Sequence, residues 1–507
     1  MKRMSGLAHS LNAEALNQDV KKLHIYIREA ASSGTAAHEV ELGIWNQILA
    51  IGRQAFGTFL TLQGTGDLGA SIRLADGREI MKLEAPHSKP LRTIFGKFEL
   101  KRAVYGSRET QKIELVPLDT RLQLPASEFS YVLQDWDQAL AVENSYAQTD
   151  TVLHRILGFH QPVDSLERMS KDMSQEVEGY RESQPIPPAR EEGKILVVSA
   201  DGKGIPMRRA SGEAPILGHR SKGQKKNKKR MATVGTVYTI DPLIRTPSQV
   251  VESLFRDPKQ KKPQPDKERP HPEHKQVWAS LTHEKDGQEV NSADVVFGWL
   301  SGQAEGRNPK GNKVLVTIMD GQPSLWEMRK KYLPGQSVVE ILDLLHVTPR
   351  LWMAAHVFHA EGSGAATEFV KERLLRVLQG DVGYVIGGLR QMATKVGLKG
   401  PKKKTLERIC NYLETNRARL RYDEYLKAGY PIASGVIEGT CRHLVKDRME
   451  RAGMRWSLAG AQAMLDLRST VLNGDWDAFT QYRIQEQTQR LYPYIRLVKK
   501  VEWPMAA

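Results

Sequence analysis

The sequence predicts an α/β protein: a mixed-sheet core with a helical insertion, preceded by a small α+β domain and a helical domain. Three observations lead there. Two apolar runs, Ile195-Leu196-Val197-Val198-Ser199-Ala200 and Val314-Leu315-Val316-Thr317-Ile318-Met319, suit buried strands, and each runs into an Asp-Gly pair, Asp201-Gly202 and Asp320-Gly321. Around them the pattern gives strands first and then strands alternating with helices. Upstream, the prolines of Pro185-Ile186-Pro187-Pro188 forbid regular structure and mark a linker.

Taken in order, residues 11–63 read as two helices, the second with Val40, Leu42, Ile44, Trp45, Ile48, Leu49, Ile51 and Phe56 at a helical period. Two hairpins follow. Residues 71–82 turn at Asp76-Gly77 and residues 93–105 turn near Gly96-Lys97, completing an α+β domain over 1–120. Residues 121–184 read as helical, broken at Gly158-Phe159-His160-Gln161-Pro162. A helix over 144–157 and another starting near Asp164 or Ser165 fit a helix-turn-helix that reads DNA with residues 165–174, or a plain helical hairpin.

The linker spans 185–192, and the third domain spans 193–507. Its pattern predicts strands over 194–201, 231–240 and 277–281, a helix around 293–304, a strand over 313–319, a helix near 323–332 and a strand over 338–345. Residues from about 349 to 429 form a helical insertion. Three strands followed by alternating helix and strand fit a ribonuclease H-like sheet.

Composition narrows the function. With 507 residues the chain has room for about three domains of ~100 to 200 residues. Hydrophobic residues at 40% and charged ones at 26% argue against wholesale disorder. The net charge of +15 points to a polyanionic partner. No apolar run approaches the ~20 residues that span a bilayer, and the start Met1-Lys2-Arg3-Met4 lacks an apolar signal core, so no membrane partner and a cytoplasmic, nucleoid-associated location are expected. Cys410 and Cys441, the two cysteines, support neither a disulfide framework nor a four-cysteine zinc site and read as small buried residues.

Seven of the eleven residues from Arg220 to Arg230 are basic, among them Lys225, Lys226, Lys228, Lys229 and Arg230. Such a run is either a solvated loop or a contact for a phosphate backbone. Residues 257–275, with five prolines among alternating charges, read as a surface loop.

Glu438, in Ala433-Ser434-Gly435-Val436-Ile437-Glu438-Gly439, joins Asp201 and Asp320 as a third candidate carboxylate. Cutting a phosphodiester needs an activated water and a stabilised leaving oxygen, which two divalent ions about 3.5 to 4 Å apart provide, and carboxylates are suitable hard ligands. In this reading Asp201 bridges two Mg²⁺ (or Mn²⁺) ions, Asp320 binds one and Glu438 the other. The alternative is an ordinary strand-end turn, since Asp-Gly occurs four times, at Asp76, Asp201, Asp286 and Asp320. Beyond Glu438, Arg442 and Lys446 recur at a four-residue spacing, which a helix would align either for phosphate binding or for an ion pair between Glu438 and Arg442. Trp456 is a candidate for stacking on an unpaired base or for the core. His356 and His359 read as core or surface residues rather than a ligand pair.

The chain resembles the ISKra-type insertion-sequence transposases, a bacterial group related to the mutator-like transposases with an Asp-Asp-Glu triad. The residues that carry the resemblance are Val198-Ser199-Ala200-Asp201-Gly202-Lys203-Gly204, Met319-Asp320-Gly321-Gln322, Glu340-Ile341-Leu342-Asp343-Leu344-Leu345-His346-Val347 and the block from Tyr430 through Glu438 to Trp456. It extends from about residue 93 onward. It implies a ribonuclease H-like catalytic core, Mg²⁺ dependence and a helical insertion between the second Asp and the Glu. Some relatives carry a cysteine cluster near the N-terminus, which this chain lacks.

Asp343 and His346 match the Asp-x-x-His signature of that group. For His346 a structural hydrogen bond to Asp343 leads over metal ligation or DNA contact, and Asp343 competes with Asp320 for the second metal position. The expected function is a DNA transposase that cuts insertion-sequence ends and transfers the 3′-hydroxyl strand to target DNA. Its expected partners are double-stranded DNA, as terminal inverted repeats and target, and further copies of itself. A ribonuclease H-like nuclease without joining activity and a domesticated, non-catalytic DNA-binding protein are the alternatives.

Overall fold

A computed structural model describes residues 2–84, 87–106, 113–208, 229–256, 269–285, 287–335 and 337–503. The chain divides into two compact units, Met1–Glu176 with Asp477–Ala507, and Val177–Trp476.

The first unit opens with helices Lys2–Ser33 and Ala37–Leu62. Strands β1 (Ser71–Arg73) and β2 (Glu79–Lys82) pair antiparallel across the Asp76-Gly77 turn, where Gly77 takes φ 86°. Next come β3 (His87–Thr93), β4 (Gly96–Arg102) and β5 (Tyr105–Gly106), with β5 adding to β2. The second hairpin therefore starts earlier than the sequence suggests and turns before Gly96, with Thr93 paired to Gly96. Pro90 inside β3 hides that strand from a propensity reading.

Residues 121–184 do not form a domain of their own. Phe129, Leu133, Leu153, Leu157 and Met169 pack with Leu49 and Ile94 into one apolar cluster, which welds the helices to the α+β part. The C-terminal segment also belongs here and not with the third domain, because Val498 and Trp503 fill a cluster with Ile72, Ile80, Tyr105 and Leu118. Arg483 further donates to buried Gln134 at 2.6 Å.

The expected helix pair exists, as Tyr146–Leu157 and Val163–Ser174. Gly158, in the left-handed region at φ 76°, ends the first helix. The second helix buries Leu166, Met169, Ser170 and Met173. Both its cations are paired, Lys171 with Glu167 at 2.9 Å and Arg168 with Glu128 at 3.8 Å. That favours the plain hairpin over a DNA-reading helix.

The second unit begins at Val177, so the proline-rich stretch is not an interdomain linker. Glu192, its side chain fully buried, meets Arg307 and sits 2.7 Å from Lys313, which fastens the stretch to this unit. The sheet follows: β6 (Ile195–Pro206), β7 (Lys229–Ile240), β8 (Glu273–Leu281), a small hairpin of β9 (His283–Lys285) and β10 (Gln288–Val290), then β11 (Val314–Met319) and β12 (Val339–Leu342). The five-stranded order is β12-β11-β6-β7-β8. Strands β6, β7 and β8 pair antiparallel, while β11 runs parallel to β6 and β12 parallel to β11.

Both faces of this sheet are covered, which explains the unbroken apolar runs. Ile195 and Val197 of β6 point to one face and join Val316, Ile318 and Ile341 against the insertion helices Leu344–Phe358, Gly364–Leu378, Val382–Lys395 and Gly400–Thr415. Leu196, Val198 and Ala200 point to the other face, against Val296, Phe297 and Leu300 of helix Ser292–Arg307 and Leu325 and Trp326 of helix Pro323–Tyr332. Strand β12 is shorter than expected because Asp343 already caps the next helix, accepting from the Leu345 N–H at 2.9 Å. Among the described residues no helix is long and apolar enough to cross a membrane.

Candidate active site

Neighbouring strands bring the two Asp-Gly pairs together. In the parallel pairing of β6 with β11, Ile195 faces Val314 and Val198 faces Thr317. The pairing ends there; Asp201 lies farther along β6, paired with Val234 of β7, and Asp320 follows the last residue of β11, with the charge of Asp320 acting on Asp201. Side chains alternate along a strand, so Asp201 leans to the face of Ile195, Val197 and the insertion helices, with Lys203 two residues on.

The strand expected to end at Asp201 runs on to Pro206, so Asp201 lies within β6, whereas Asp320 follows the end of β11. Asp201 accepts from the Gly202 N–H at 2.7 Å, and the Cys441 thiol lies 3.5 Å from its other oxygen. Asp320 accepts from the Gln322 N–H at 2.6 Å, while its backbone carbonyl accepts from the Trp326 indole at 2.7 Å. Glu438 sits on the short helix Gly435–Thr440, half-exposed, and meets His346 Nε2 through Oε1 at 3.2 Å.

Electrostatics ties these groups into one neighbourhood. Burial pushes the Asp201 carboxyl above its usual range and the charge of Asp320 pushes the same way; the Gly202 N–H, the Cys441 thiol and His346 oppose them. Burial also pushes the Cys441 thiol far up, helped by Asp201 and Glu438 and opposed by Lys203.

Asp343 is a different kind of acid. Nearly inaccessible to solvent, it uses Oδ1 to accept from the Leu345 and Ser434 N–H groups at 2.9 and 3.2 Å, and Oδ2 to accept from the Ser434 hydroxyl at 3.0 Å. It therefore clamps the loop before Glu438 onto the end of β12. The expected side-chain bond between His346 and Asp343 is replaced by the contact with Glu438, although the His346 N–H does reach the Asp343 carbonyl at 3.0 Å.

Other expectations change as well. Trp456 is buried, donates its indole N–H to the Met449 carbonyl at 3.1 Å and lies under the Arg448 guanidinium, so it belongs to the core and not to a base-stacking surface. Residues Cys441–Lys446 form a π-helical turn, whose wider i to i+5 bonding breaks the four-residue alignment with Glu438. Arg442 consequently meets Asp447 at 3.6 Å; Arg442 and Lys446 are exposed. Lys229 pairs with Glu450 at 2.6 Å, Arg230 is exposed, and Lys225, Lys226 and Lys228 lie outside the described residues. His356 sits beside Trp352 and His359 against Phe369, in line with packing roles.

Spacing missed Cys441, Ser434 and Tyr412. The last packs so close to the Asp320 turn that a Cβ on Gly321 would meet its ring at 2.3 Å. No linear signal announces these contacts. Lys203 was within reach, since a period of two puts it on the side of Asp201.

Carboxylate oxygen is the donor type that a hard divalent cation takes. Asp201, desolvated beside the charge of Asp320, would gain from a nearby positive charge. Among the described residues, however, no group of three or more His, Cys, Asp or Glu side chains is arranged to hold a metal ion.

No protein-family model matches the chain, and no curated protein does. Among solved structures it is similar to the Drosophila P element transposase strand transfer complex, at 11% identity and a TM-score of 0.23, over 75% of this chain and 88% of that one. A likeness of that size carries no conclusion about fold or function.

Proposed function

We propose that this chain is a DNA transposase of the ISKra-type, mutator-like group, which cuts element ends and joins the freed 3′-hydroxyl to target DNA. The observation that carries the reading is that Asp201 and Asp320 lie equally far beyond the last paired positions, Val198 and Thr317, of two neighbouring parallel strands, near enough for the charge of Asp320 to act on Asp201. A sheet of three antiparallel strands continued by two parallel ones supports a ribonuclease H-like core. The net charge of +15 suits a DNA partner.

In this reading Asp201, Asp320 and Glu438 would hold two Mg²⁺ or Mn²⁺ ions. Bound there, the ions would supply activation of the attacking oxygen and neutralisation of charge on the leaving oxygen. The protein's own part is positional. Asp320 is steadied by Gln322 and Trp326, and Asp201 by Gly202 and Cys441. Glu438 is aimed by His346, and its loop is fixed by the Asp343–Ser434 clamp. Cutting and joining then use the same arrangement, with water and the 3′-hydroxyl as successive nucleophiles.

The test uses the Asp201→Asn variant, which removes a charge and little volume. Mg²⁺-dependent cleavage of duplex DNA is expected to vanish while duplex binding persists. Undiminished cleavage would reject the assignment. Precut ends bearing a 3′-hydroxyl, given to the unaltered protein, should yield joined strands; cleavage without joining would mark a nuclease instead.

A further inference from the structure

The helical insertion carries a concentrated positive surface. Arg390, Lys395, Lys399, Lys402, Lys403, Lys404 and Arg408 fall within one short stretch whose one acid is Glu407. All seven cations are exposed. Helix Val382–Lys395 ends in a reversal, with Leu398 N–H bonded to the Ala393 carbonyl at 2.9 Å and Gly397 at φ 59°. Gly400, at φ 65°, then starts helix Gly400–Thr415 with Pro401 in its first turn. Two left-handed glycines so close together fold the connection tightly. Arg390, Lys399 and Lys403 line the same groove of about 440 Å³.

This charge is not spent inside the fold. Among the described residues Lys403 meets Glu407, at 3.9 Å, whereas Arg390, Lys395, Lys399 and Lys404 are in no ion pair. Leu406, Ile409, Cys410 and Leu413 bury one side of the helix; Lys402 donates to the Val357 carbonyl at 3.4 Å, while Lys403 and Lys404 are exposed. Lys402 and Lys403 occupy a first helical turn that contains no acid, where the helix dipole disfavours cations, and Lys404 follows them. Mutual repulsion adds to that cost, and a polyanion laid along the surface would relieve both.

We propose that this surface binds the phosphate backbone of duplex DNA, making the insertion a DNA-holding arm besides a cover for the sheet. The proposal rests on the nucleic-acid reading above and adds where the duplex is gripped. Lysines contacting phosphates carry no sequence information, so the grip should be indifferent to sequence.

The test compares the full chain with a Lys399→Gln, Lys403→Gln, Lys404→Gln variant, measuring anisotropy of labelled duplexes across a salt series. Affinity at low salt is expected to fall roughly tenfold or more, and the slope of log affinity against log salt to become shallower by about 1 per lysine removed. Two duplexes of unrelated sequence should lose equally, and the Lys→Arg triple variant should keep the original slope. An unchanged slope in the Gln variant, or loss on one sequence only, overturns the proposal. So does lost binding to phosphatidylserine vesicles with duplex binding intact. The two readings fail separately: an unchanged slope in a protein that still cleaves defeats the arm alone, whereas a changed slope with full cleavage by Asp201→Asn defeats the carboxylate assignment alone.

Discussion

Asp201, partly buried, and Asp343, buried, have opposite duties. Asp201 keeps an oxygen turned toward a weak thiol donor, whereas Asp343 has both oxygens taken up by Leu345 and Ser434. An Asp343→Ala variant strands those donors, which should cost about 1–3 kcal/mol of stability and slow cleavage. The Mg²⁺ concentration giving half-maximal cleavage should stay put, and Asp343→Asn, which still caps the helix, should recover part of the loss; a shifted Mg²⁺ requirement would make Asp343 a ligand. Far from the site, Asp137 lies on helix Tyr131–Ala141, fully buried, with Gln161 donating to it at 2.6 Å. Burial pushes its carboxyl up to about 7, against the pull of Gln161. Its folded pKa is thus above the unfolded value of about 3.9, so its contribution to stability is complete below that value and is lost as pH rises through about 7. Asp137→Asn should therefore melt higher than the unaltered chain above neutral pH and similarly near pH 4, a difference read from melting temperatures across the pH range.

Strands β6 and β11 were legible because burial on both faces leaves an apolar run that no amphipathic helix imitates. Their Asp-Gly pairs read as strand-end turns, yet β6 runs on through Asp201-Gly202 to Pro206; Asp-Gly occurs four times, and only the folded neighbourhood singles out Asp201 and Asp320. Asp343 illustrates the opposite case: a strand read through to Leu345 stops at Leu342, because a side-chain cap competes with the last strand bonds. The π-turn at Cys441–Lys446 was equally hidden, since a widened turn has no residue signature. Between elements, the close approach of helix Gly400–Thr415 to the end of β11 depends on Gly321 having no side chain. Gly321→Ala would drive a methyl into the Tyr412 ring and toward Asn416, so either the helix shifts or the Asp320 turn does. A loss of about 1–3 kcal/mol, by chemical denaturation, together with weaker cleavage is expected; unchanged values would mean that the ring swings aside freely.

The division of the chain makes the second unit continuous and the first discontinuous. Val177–Trp476 contains its own sheet with an apolar layer on each face, and the buried Arg307–Glu192–Lys313 cluster closes its entry segment. Expressed alone, residues 177–476 should unfold in one cooperative thermal transition with native-like near-UV dichroism. Residues 1–176 alone lack Val498 and Trp503 from their core and should melt lower than the same residues carrying 477–507. A stable, cooperative 1–176 fragment would show the returning segment to be dispensable.

Local chemistry alone was enough for the strand and helix order of the mixed sheet, the helical nature of the insertion and the excess of positive charge, since periodicity and composition are written along the chain. Which acids meet, which lysines stay unpaired, that Trp456 is core and that the C-terminal segment rejoins the N-terminal unit are contacts between distant residues. They depend on register, helix capping and the filling of shared apolar space, and those quantities exist only once the chain has folded back on itself.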